Sequence, residues 1–201
     1  IDCRLVSNPV AGTSLNLSGG WHDAGDYNKY INFTFSPLTD LLLGYIESPT
    51  VWKDNYGIPE SGNGVPDVLD EVKYELDWML KMQRPNGSIL HKVSVTDFSA
   101  ASPPSSDAAF RRYGAASTSA TLTGAAMFAL AASAFRSLNV PSMTPYSNPL
   151  EAAAINAWTW AMANPSVVFS NTGFQNVAAE DDDYGRTAKR VCAAAYLYVL
   201  T

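Results

Sequence analysis

The chain is organised around residues 18–30, which read SGGWHDAGDYNKY. Asp23 and Asp26 stand three positions apart in this stretch, with one alanine and one glycine between them. Glycine adopts turn conformations that a Cβ atom would penalise, so a loop of this composition can direct both carboxyl groups toward one point. Two carboxylates around one water molecule can orient and deprotonate a nucleophile, as hydrolysis requires. The flanking aromatic residues suit a sugar-binding cleft, because the C–H face of a sugar ring packs on an aromatic plane.

On the residues alone, a structural interpretation of this loop stays open. Asp and Gly are the commonest turn residues, and an Asp-Ala-Gly-Asp loop can also cap a helix or hold a calcium ion. Composition by itself favours this structural interpretation over the catalytic one. A functional interpretation therefore depends on a longer match than two acids can give.

Residues 19–27, GGWHDAGDY, resemble the motif of glycoside hydrolase family 9, the inverting endo-β-1,4-glucanases (cellulases) and their relatives. The resemblance implies that Asp26 is the general base and that Asp23 helps to hold the attacking water. Residues 63–74, NGVPDVLDEVKY, are also similar to this family and read as the start of a structural helix. The match spans nearly the whole chain. The chain itself has less than half the length of a family catalytic domain. We therefore expect residues 1–201 to be the N-terminal portion of a single catalytic domain whose C-terminal portion is absent.

Capping residues, proline positions and apolar stripes predict five helices, with Ser36 and Asn148 as two of the N-caps. The approximate ranges of these helices are 36–48, 66–83, 117–138, 148–164 and 186–200. Residues 1–35 read as irregular or extended, and residues 89–93 as a short strand-like piece. Because no strands alternate with the helices, the pattern predicts an all-α fold and not a parallel α/β sheet. The resemblance implies a partial (α/α)6 barrel of the six-hairpin glycosidase type, with about five of its twelve helices present.

Charge and hydropathy exclude several classes of partner. Lys and Arg total 13 and Asp and Glu total 19, which gives a net charge of −6, and no basic stripe is visible. Nucleic acid and anionic membrane surfaces are therefore not expected partners. No apolar run approaches the roughly 18 residues that a membrane span needs. The chain begins with IDC, without an initiating Met or a signal segment, so we expect the true start to have been removed.

Cysteine and acid positions bear on metal binding. Some relatives carry a zinc site of cysteines and histidines upstream of the glycine-rich motif, where this chain has only Cys3, so zinc is not expected. Many relatives bind calcium through an Asp-Glu pair before the last helix of this region, and the matching positions here are Ala188 and Lys189. The acidic run at residues 180–183 can chelate a hard cation, although such a run is more often a solvated loop. We predict no metal ligand and no required cofactor, and calcium stays open.

Three residues are candidate sugar contacts. Tyr27 belongs to the motif and is expected near the cleft. His91 lies in an HKV sequence that relatives place on the substrate side of the barrel, although a lone histidine is more often structural. Arg112, like Arg111, can donate to sugar hydroxyls or pair with a carboxylate, which is the commoner role. Tyr27, His91 and Arg112 are therefore the predicted substrate-binding residues.

The resemblance implies hydrolysis of β-1,4-glycosidic bonds in cellulose or a related β-glucan, by inversion, by a secreted or periplasmic enzyme. The family's catalytic acid is a Glu near the C-terminal end of the domain, which we expect beyond Thr201. An inverting enzyme needs that carboxyl about 6.5–9.5 Å from the base. Two alternatives stay open: a truncated, catalytically impaired glycan-binding fragment, and an exo-acting glucosaminidase or cellobiohydrolase of the same family. The expected ligand is a β-glucan polysaccharide or oligosaccharide, and the open side of an incomplete barrel predicts self-association.

Overall fold

The computed structural model describes residues 2–96, 101–138, 143–174 and 180–201 of the chain. Five α-helices lie in these residues: α1 (Phe35–Glu47), α2 (Asp67–Met82), α3 (Thr118–Ser137), α4 (Ser147–Ala163) and α5 (Asp183–Leu200). The predicted all-α class is confirmed, since each of the five predicted helices is present.

Helix α3 is the centre of the fold. Its N-cap is Ser117, whose Oγ accepts a hydrogen bond from the backbone N–H of Ala120 (3.2 Å). Of its 20 residues, 17 are buried, because α1, α4 and α5 pack around it. Many of these residues are alanines, which let the neighbouring helices approach closely. Gly124 has no room for a Cβ atom, which would overlap the side chain of Ile89.

By length and composition α3 is apolar enough to cross a membrane, contrary to the expectation that no apolar run in the chain reaches that length. In the structure, 94% of its most apolar 18-residue window is buried inside the protein. Its apolar side chains pack on the other helices, and the hydroxyl-bearing side chains of its first turns are buried with them. Helix α3 is therefore a core helix, and its apolar character serves packing.

A small five-stranded sheet joins distant parts of the chain. Its strands, in the order β2-β1-β5-β4-β3, are β1 (Asp2–Leu5), β2 (Leu15–Asn16), β3 (Lys29–Tyr30), β4 (Lys92–Ser94) and β5 (Arg112–Tyr113). Strands β1 and β5 are parallel, and the other neighbours are antiparallel. Tyr30 pairs with Lys92, and Val93 pairs with Tyr113, so the end of the motif stretch lies beside the strand that follows α2. The strand predicted at residues 89–93 is present as β4, which begins later.

The start of α1 differs from the prediction. Residues 31–34 form a 3₁₀ turn, in which the hydroxyl of Thr34 donates to the carbonyl of Ile31 (2.8 Å). This turn runs directly into the helix, so α1 begins at Phe35 and Ser36 is not its N-cap.

The starts of α4 and α5 also differ from the prediction. A 3₁₀ turn at residues 144–146 runs directly into α4, which begins one residue before Asn148, so Asn148 is not its N-cap. Helix α5 begins earlier than predicted, because the carboxylate of Asp182 accepts the N–H of Gly185 (2.7 Å) and caps the helix there.

Candidate active site

The motif loop rests on helix α2, where two glycines permit a close approach. Gly20 has a φ of +73°, and a Cβ atom there would lie 2.6 Å from Cγ of Trp78. Gly19, with a φ of +93°, lies against the same side chain. Trp78 is fully buried, so its ring has no room to move aside. Gly20 therefore lets the backbone of the loop contact the indole ring of α2, and Gly19 provides the left-handed conformation just before it.

Two acids of α2 hold Trp21, which lies two residues before Asp23. The backbone N–H of Trp21 donates to Oε2 of Glu75 (2.5 Å), and its indole Nε1–H donates to Oε1 of Glu71. Glu75 is fully buried, and this burial raises its pKa to about 7. The two acids are four residues apart and so share one face of the helix, a signal that the sequence analysis does not use.

The two acids of the motif have different surroundings. Asp26 is buried, and its Oδ1 accepts the N–H of Asn28 (3.0 Å), whereas Asp23 is exposed. The backbone N–H of Asp23 donates to the carbonyl of Asn28 (2.8 Å), which closes the loop. Tyr27 has a φ of +56°, a left-handed conformation that is uncommon for a residue with a side chain. Backbone strain of this kind clusters at functional sites.

The negative charge of Asp26 acts on Asp23 and on a buried cation, Lys92. Burial and, after it, the negative charge of Asp26 raise the pKa of Asp23. Burial lowers the pKa of Lys92 to about 8, and the charge of Asp26 opposes that shift. In the part of the chain that the structure describes, no ion pair engages Asp23 or Asp26. Both acids therefore keep carboxylate oxygens that can accept from a water molecule.

Two pockets border the loop. The first has a volume of about 100 Å³ and is bounded by Trp21, His22, Asp23, Tyr30, Phe33, Thr34 and Pro37. The second has a volume of about 220 Å³, and its walls include His22, Tyr27 and Arg111. The rings of His22 and Tyr27 lie 5.2 Å apart, between their centroids. The first pocket joins a carboxylate to aromatic side chains, which are the residue types that a sugar site uses.

His91, a predicted sugar contact, is buried. Its ring stacks on Phe169 with the centroids 4.1 Å apart and the planes at 3°, and its Nδ1 lies 2.9 Å from Oγ of Ser117. Burial, with the charge of Lys92, lowers the pKa of His91 to about 3. The imidazole is therefore neutral at pH 7, and its 3.6 Å approach to Glu180 is not an ion pair. A sugar would have to displace a neighbour such as Phe169 to touch His91, and that contact stays a prediction.

The two arginines before α3 have different contacts. Nη2 of Arg111 pairs with Oδ2 of Asp107 (2.7 Å), and Arg111 borders the larger pocket. The guanidinium carbon of Arg112 lies 5.5 Å from the ring centroid of Phe110, and among the described residues no carboxylate pairs with it. Arg111 thus takes the carboxylate-pairing role, and the sugar contact of Arg112 stays a prediction.

The acids at residues 180–183, which the sequence leaves open as a calcium site, have protein partners. Arg186 and Lys189 pair with three of these four acids. The fourth, Asp182, caps α5. Ion pairs with residues of α5 and capping of α5 therefore account for these four acids.

A different group of acids meets at the start of α2. One carboxylate oxygen from each of Asp54, Asp67 and Asp70 lies within 4.8 Å of the others. This group has no signal in the sequence, because Asp54 comes from the preceding loop and only the fold brings it to the helix.

Replacing Glu75 with glutamine is expected to change how stability depends on pH. Burial raises the folded pKa from 4.5 to about 7, so the folded state holds this proton more tightly than the unfolded state does. That contribution is fully present below about pH 4.5 and is lost as the pH rises through about 7, with a magnitude of at most ~3 kcal/mol. Glutamine keeps an acceptor for Trp21 and cannot ionise, so the variant should be the more stable protein at pH 8.

Urea unfolding of both proteins at pH 4.5 and at pH 8 measures this difference. Glu47→Gln is the matched control, because it makes the same substitution on the exposed surface of α1, away from Glu75. If Glu75→Gln keeps the same pH dependence as the unsubstituted protein, the buried carboxyl does not titrate as described.

Comparison with solved structures defines the class of fold. A metagenome-derived glycoside hydrolase family 9 endoglucanase has a TM-score of 0.88, 33% sequence identity and coverage of 100% of this chain and 36% of its own. A glycoside hydrolase family 9 protein of Bacteroides ovatus has a TM-score of 0.85, 29% identity and coverage of 100% and 39%. These neighbours have the (α/α)6-barrel fold, so this chain has part of a helical-barrel glycosidase fold.

Sequence comparison then gives the family. The model of Glycosyl hydrolase family 9 matches residues 2–201, and the chain belongs to this family. Endoglucanase D of Acetivibrio thermocellus is 35% identical over 198 residues, which cover 92% of this chain and 29% of that protein. The cellodextrinase of Butyrivibrio fibrisolvens is 32% identical over 207 residues, which cover 99% and 37%. The chain thus spans about a third of the length of these relatives.

Proposed function

We propose that the chain is the N-terminal part of the catalytic domain of an enzyme that hydrolyses β-1,4-glycosidic bonds in cellulose or a related β-glucan, with inversion. Relatives named as an endoglucanase, a cellodextrinase and a xyloglucan-specific endo-β-1,4-glucanase support a β-glucan substrate. A similar structure in complex with a cellobiose-like isofagomine supports a sugar ligand. The observation that carries the proposal is the motif loop, in which exposed Asp23 borders a pocket with aromatic walls and Asp26, three residues later, is buried.

In this proposal Asp26 is the general base. Its Oδ1 is occupied by the N–H of Asn28, which leaves Oδ2 to take a proton from water. As the water oxygen bonds to the anomeric carbon, the bond from that carbon to the leaving oxygen breaks and the proton passes to Asp26. Asp23 accepts a hydrogen bond from the second hydrogen of the water and so fixes the direction of attack.

The leaving oxygen needs a proton from a second carboxyl group. In inverting glycosidases this group lies about 6.5–9.5 Å from the base. We propose that a Glu outside residues 1–201 supplies it, as the family resemblance implies. The 201 residues by themselves would then bind glucan and activate water. They would cleave a glycosidic bond only slowly where its leaving oxygen must receive a proton.

Tyr27, His91 and Arg112 are the proposed sugar contacts. Tyr27 borders the larger pocket, and its hydroxyl donates to the carbonyl of Ala101 (2.8 Å), which fixes the ring. The two-carboxylate step itself requires no cofactor. A polymeric substrate is met outside the cell, so we propose a secreted or periplasmic protein.

Glycan binding without turnover is the second candidate function, and one observation favours it. Helix α5 exposes large side chains, with Tyr198 86% and Val199 74% exposed. A pocket of about 330 Å³ with mostly apolar walls lies between α1, α3 and α5. Apolar surface of this extent is normally covered, which favours a chain that forms part of a larger domain and has no turnover by itself. Self-association through this face stays a prediction.

The stereochemistry of cleavage tests the proposed function. Fluoride can leave without receiving a proton from a catalytic carboxyl group. The 201-residue chain should therefore hydrolyse β-cellobiosyl fluoride even though the proposed catalytic acid lies outside these residues. Inverting attack gives α-cellobiose as the first product, which proton NMR distinguishes from β-cellobiose before mutarotation. β-Maltosyl fluoride, which lacks the β-1,4 linkage, is the matched control and should react at its spontaneous rate.

Three outcomes separate the candidates. Early α-cellobiose supports the inverting enzyme. Early β-cellobiose means retention and contradicts the proposal. A spontaneous rate with β-cellobiosyl fluoride, together with retarded migration of the chain in gels that contain soluble β-glucan, establishes the second candidate.

A further inference from the structure

The larger of the two pockets beside the motif loop has a floor built from the small sheet. Lys29 of β3 pairs with Val93 of β4, and Val93 pairs with Tyr113 of β5. Arg111 lies two residues before Tyr113, so its side chain lies on the same face of the sheet as those of Lys29 and Val93. These three side chains border the pocket, which has a volume of about 220 Å³. We propose that this pocket binds the carboxylate group of an acidic sugar, a hexuronic acid.

Lys29 brings a positive charge into this pocket. The residue is only 7% exposed. Its ammonium group donates to the carbonyl of Gly19 and lies 5.9 Å from the ring centroid of Trp78. Among the residues that the structure describes, no carboxylate forms an ion pair with it. An ammonium group has three N–H donors and a buried charge without a partner is costly, so Lys29 favours an anionic acceptor in the pocket.

Arg111 supplies a second positive charge. Its Nη2 pairs with Oδ2 of Asp107 (2.7 Å), and its Nη1 donates to the carbonyl of Ala109 (3.2 Å). A guanidinium group has five N–H donors in a planar fork, of which these contacts use two. Lys29, Arg111 and Asp107 all border the pocket, so its described walls carry two cations and one carboxylate. A ligand with a single negative charge would make the pocket electrically neutral.

The charges of Lys29 and Arg111 act on other groups at the same pocket. Burial, followed by these two charges, lowers the pKa of His22. Burial raises the pKa of the Cys3 thiol, and the same two charges oppose that rise. Both effects have the sign that a positive potential in the pocket produces. An anion bound there would counter both of them.

Glu75 does not take the place of that anion. Its Oε2 accepts the backbone N–H of Trp21 (2.5 Å), and no ion pair joins it to Lys29 within the described ranges. Burial raises the pKa of Glu75 to about 7, so about half of the molecules carry a proton there at neutral pH. The charge of Glu75 therefore offsets that of Lys29 only in part.

The walls of the pocket suit a carboxylate that is attached to a sugar ring. A carboxylate is planar and has two oxygens, which match the planar fork of Arg111 and leave a lone pair for Lys29. The rings of His22 and Tyr27, with centroids 5.2 Å apart, form another wall and can pack on the C–H face of a sugar. The pocket is smaller than the roughly 300–1,000 Å³ of sites for drug-sized ligands, so it suits one sugar ring and not a longer chain.

The pocket is adjacent to the proposed site of cleavage. His22 borders both this pocket and the smaller one that contains Asp23. A glucan in the smaller pocket can therefore present an acidic branch or neighbouring unit to the larger one. That source of the acidic sugar rests on the proposed function, whereas binding in the pocket does not, so a binding experiment separates the two.

Calorimetric titration of the 201-residue protein with methyl β-D-glucuronide tests the pocket. Methyl β-D-glucoside is the neutral control, because it has a hydroxymethyl group in place of the carboxylate. Acetate tests whether a free carboxylate is enough. We expect one glucuronide per chain with a Kd of roughly 1 mM, and affinities at least about 10-fold weaker for the glucoside and for acetate.

One substitution removes the buried charge from the pocket. Lys29→Met keeps a long, unbranched side chain without the ammonium group and should weaken glucuronide binding at least about 10-fold. Lys53→Met makes the same change at an exposed residue of the loop before α2 and should leave binding unchanged. If circular dichroism shows that Lys29→Met does not fold, Arg111→Gln replaces it with the same expected loss.

Three results would overturn the inference. Glucuronide affinity no greater than glucoside affinity, including no binding of either, would mean that the pocket does not recognise the carboxylate. Acetate affinity equal to glucuronide affinity would mean that a free carboxylate is the ligand and the sugar is not recognised. Unchanged glucuronide affinity in the folded variant would place the ligand elsewhere. None of these results bears on the hydrolysis of β-cellobiosyl fluoride, which tests the proposed function separately.

Discussion

Asp26→Asn is expected to lower turnover by roughly 10²–10⁴-fold, the contribution that a positioned general base makes to a hydrolysis step. Asparagine keeps an oxygen that can accept the N–H of Asn28, so the loop should keep its conformation. The amide cannot take the proton of the attacking water, and kcat should fall while KM changes little. Initial rates with β-cellobiosyl fluoride measure the effect, because that substrate does not depend on an external acid.

Asp23→Asn separates the roles of the two acids. An amide oxygen at this exposed position can still accept a hydrogen bond from water, so the loss of turnover should be smaller than in Asp26→Asn. Asp40→Asn on α1 is the matched control and should keep the full rate. Equal rates in Asp26→Asn and the unsubstituted chain would contradict the assignment of Asp26 as the base. A larger loss in Asp23→Asn than in Asp26→Asn would mean that the two roles are reversed.

Trp78→Ala is expected to lower the free energy of unfolding by about 3–5 kcal/mol, as truncation of a buried aromatic side chain does. For a chain of this size the melting temperature should fall by roughly 6–20 °C. Trp78 is fully buried, and Gly20 lies directly against its ring. Truncation therefore removes both core packing and the support of the motif loop. Thermal melting and urea unfolding measure the loss.

Trp78→Phe is the matched variant. Nε1 of Trp78 has no hydrogen-bond partner in the described part of the chain, so phenylalanine loses packing but no hydrogen bond. Its cost should be less than half that of alanine. Equal costs for the two variants would mean that the indole N–H makes an interaction of its own, and negligible costs for both would mean that the ring does not support the loop.

The helices could be predicted because their signals are local. Ser117 caps α3 through its own side chain, and Pro66 directly precedes α2, so a few adjacent residues define each start. The prediction is wrong at Ser36 and Asn148, where a 3₁₀ turn runs straight into the helix. A residue caps a helix only where its own backbone is extended, as at Ser117 and Asp182, and sequence alone does not give that conformation.

The sheet and the aspartate cluster could not be predicted, because their partners are distant in sequence. Leu5 pairs with Tyr113 across a parallel ladder, and strands of two to four residues are too short for an alternating pattern. The motif acids were found through the family resemblance, since composition favours a structural loop. The burial of His91 under Phe169 likewise depends on a segment far along the chain.

Strand β1 lies inside the sheet, between β2 and β5, which has a practical consequence for making the protein. Trimming the amino end past Leu5 would leave one edge of β5 without its hydrogen-bonding neighbour and remove Cys3 from the core. Because β5 also pairs with β4, and β4 with the end of the motif stretch, the loss of strand pairing would extend toward Asp26. Cloning designs should keep Asp2–Leu5 intact and place any affinity tag upstream of them on a flexible spacer.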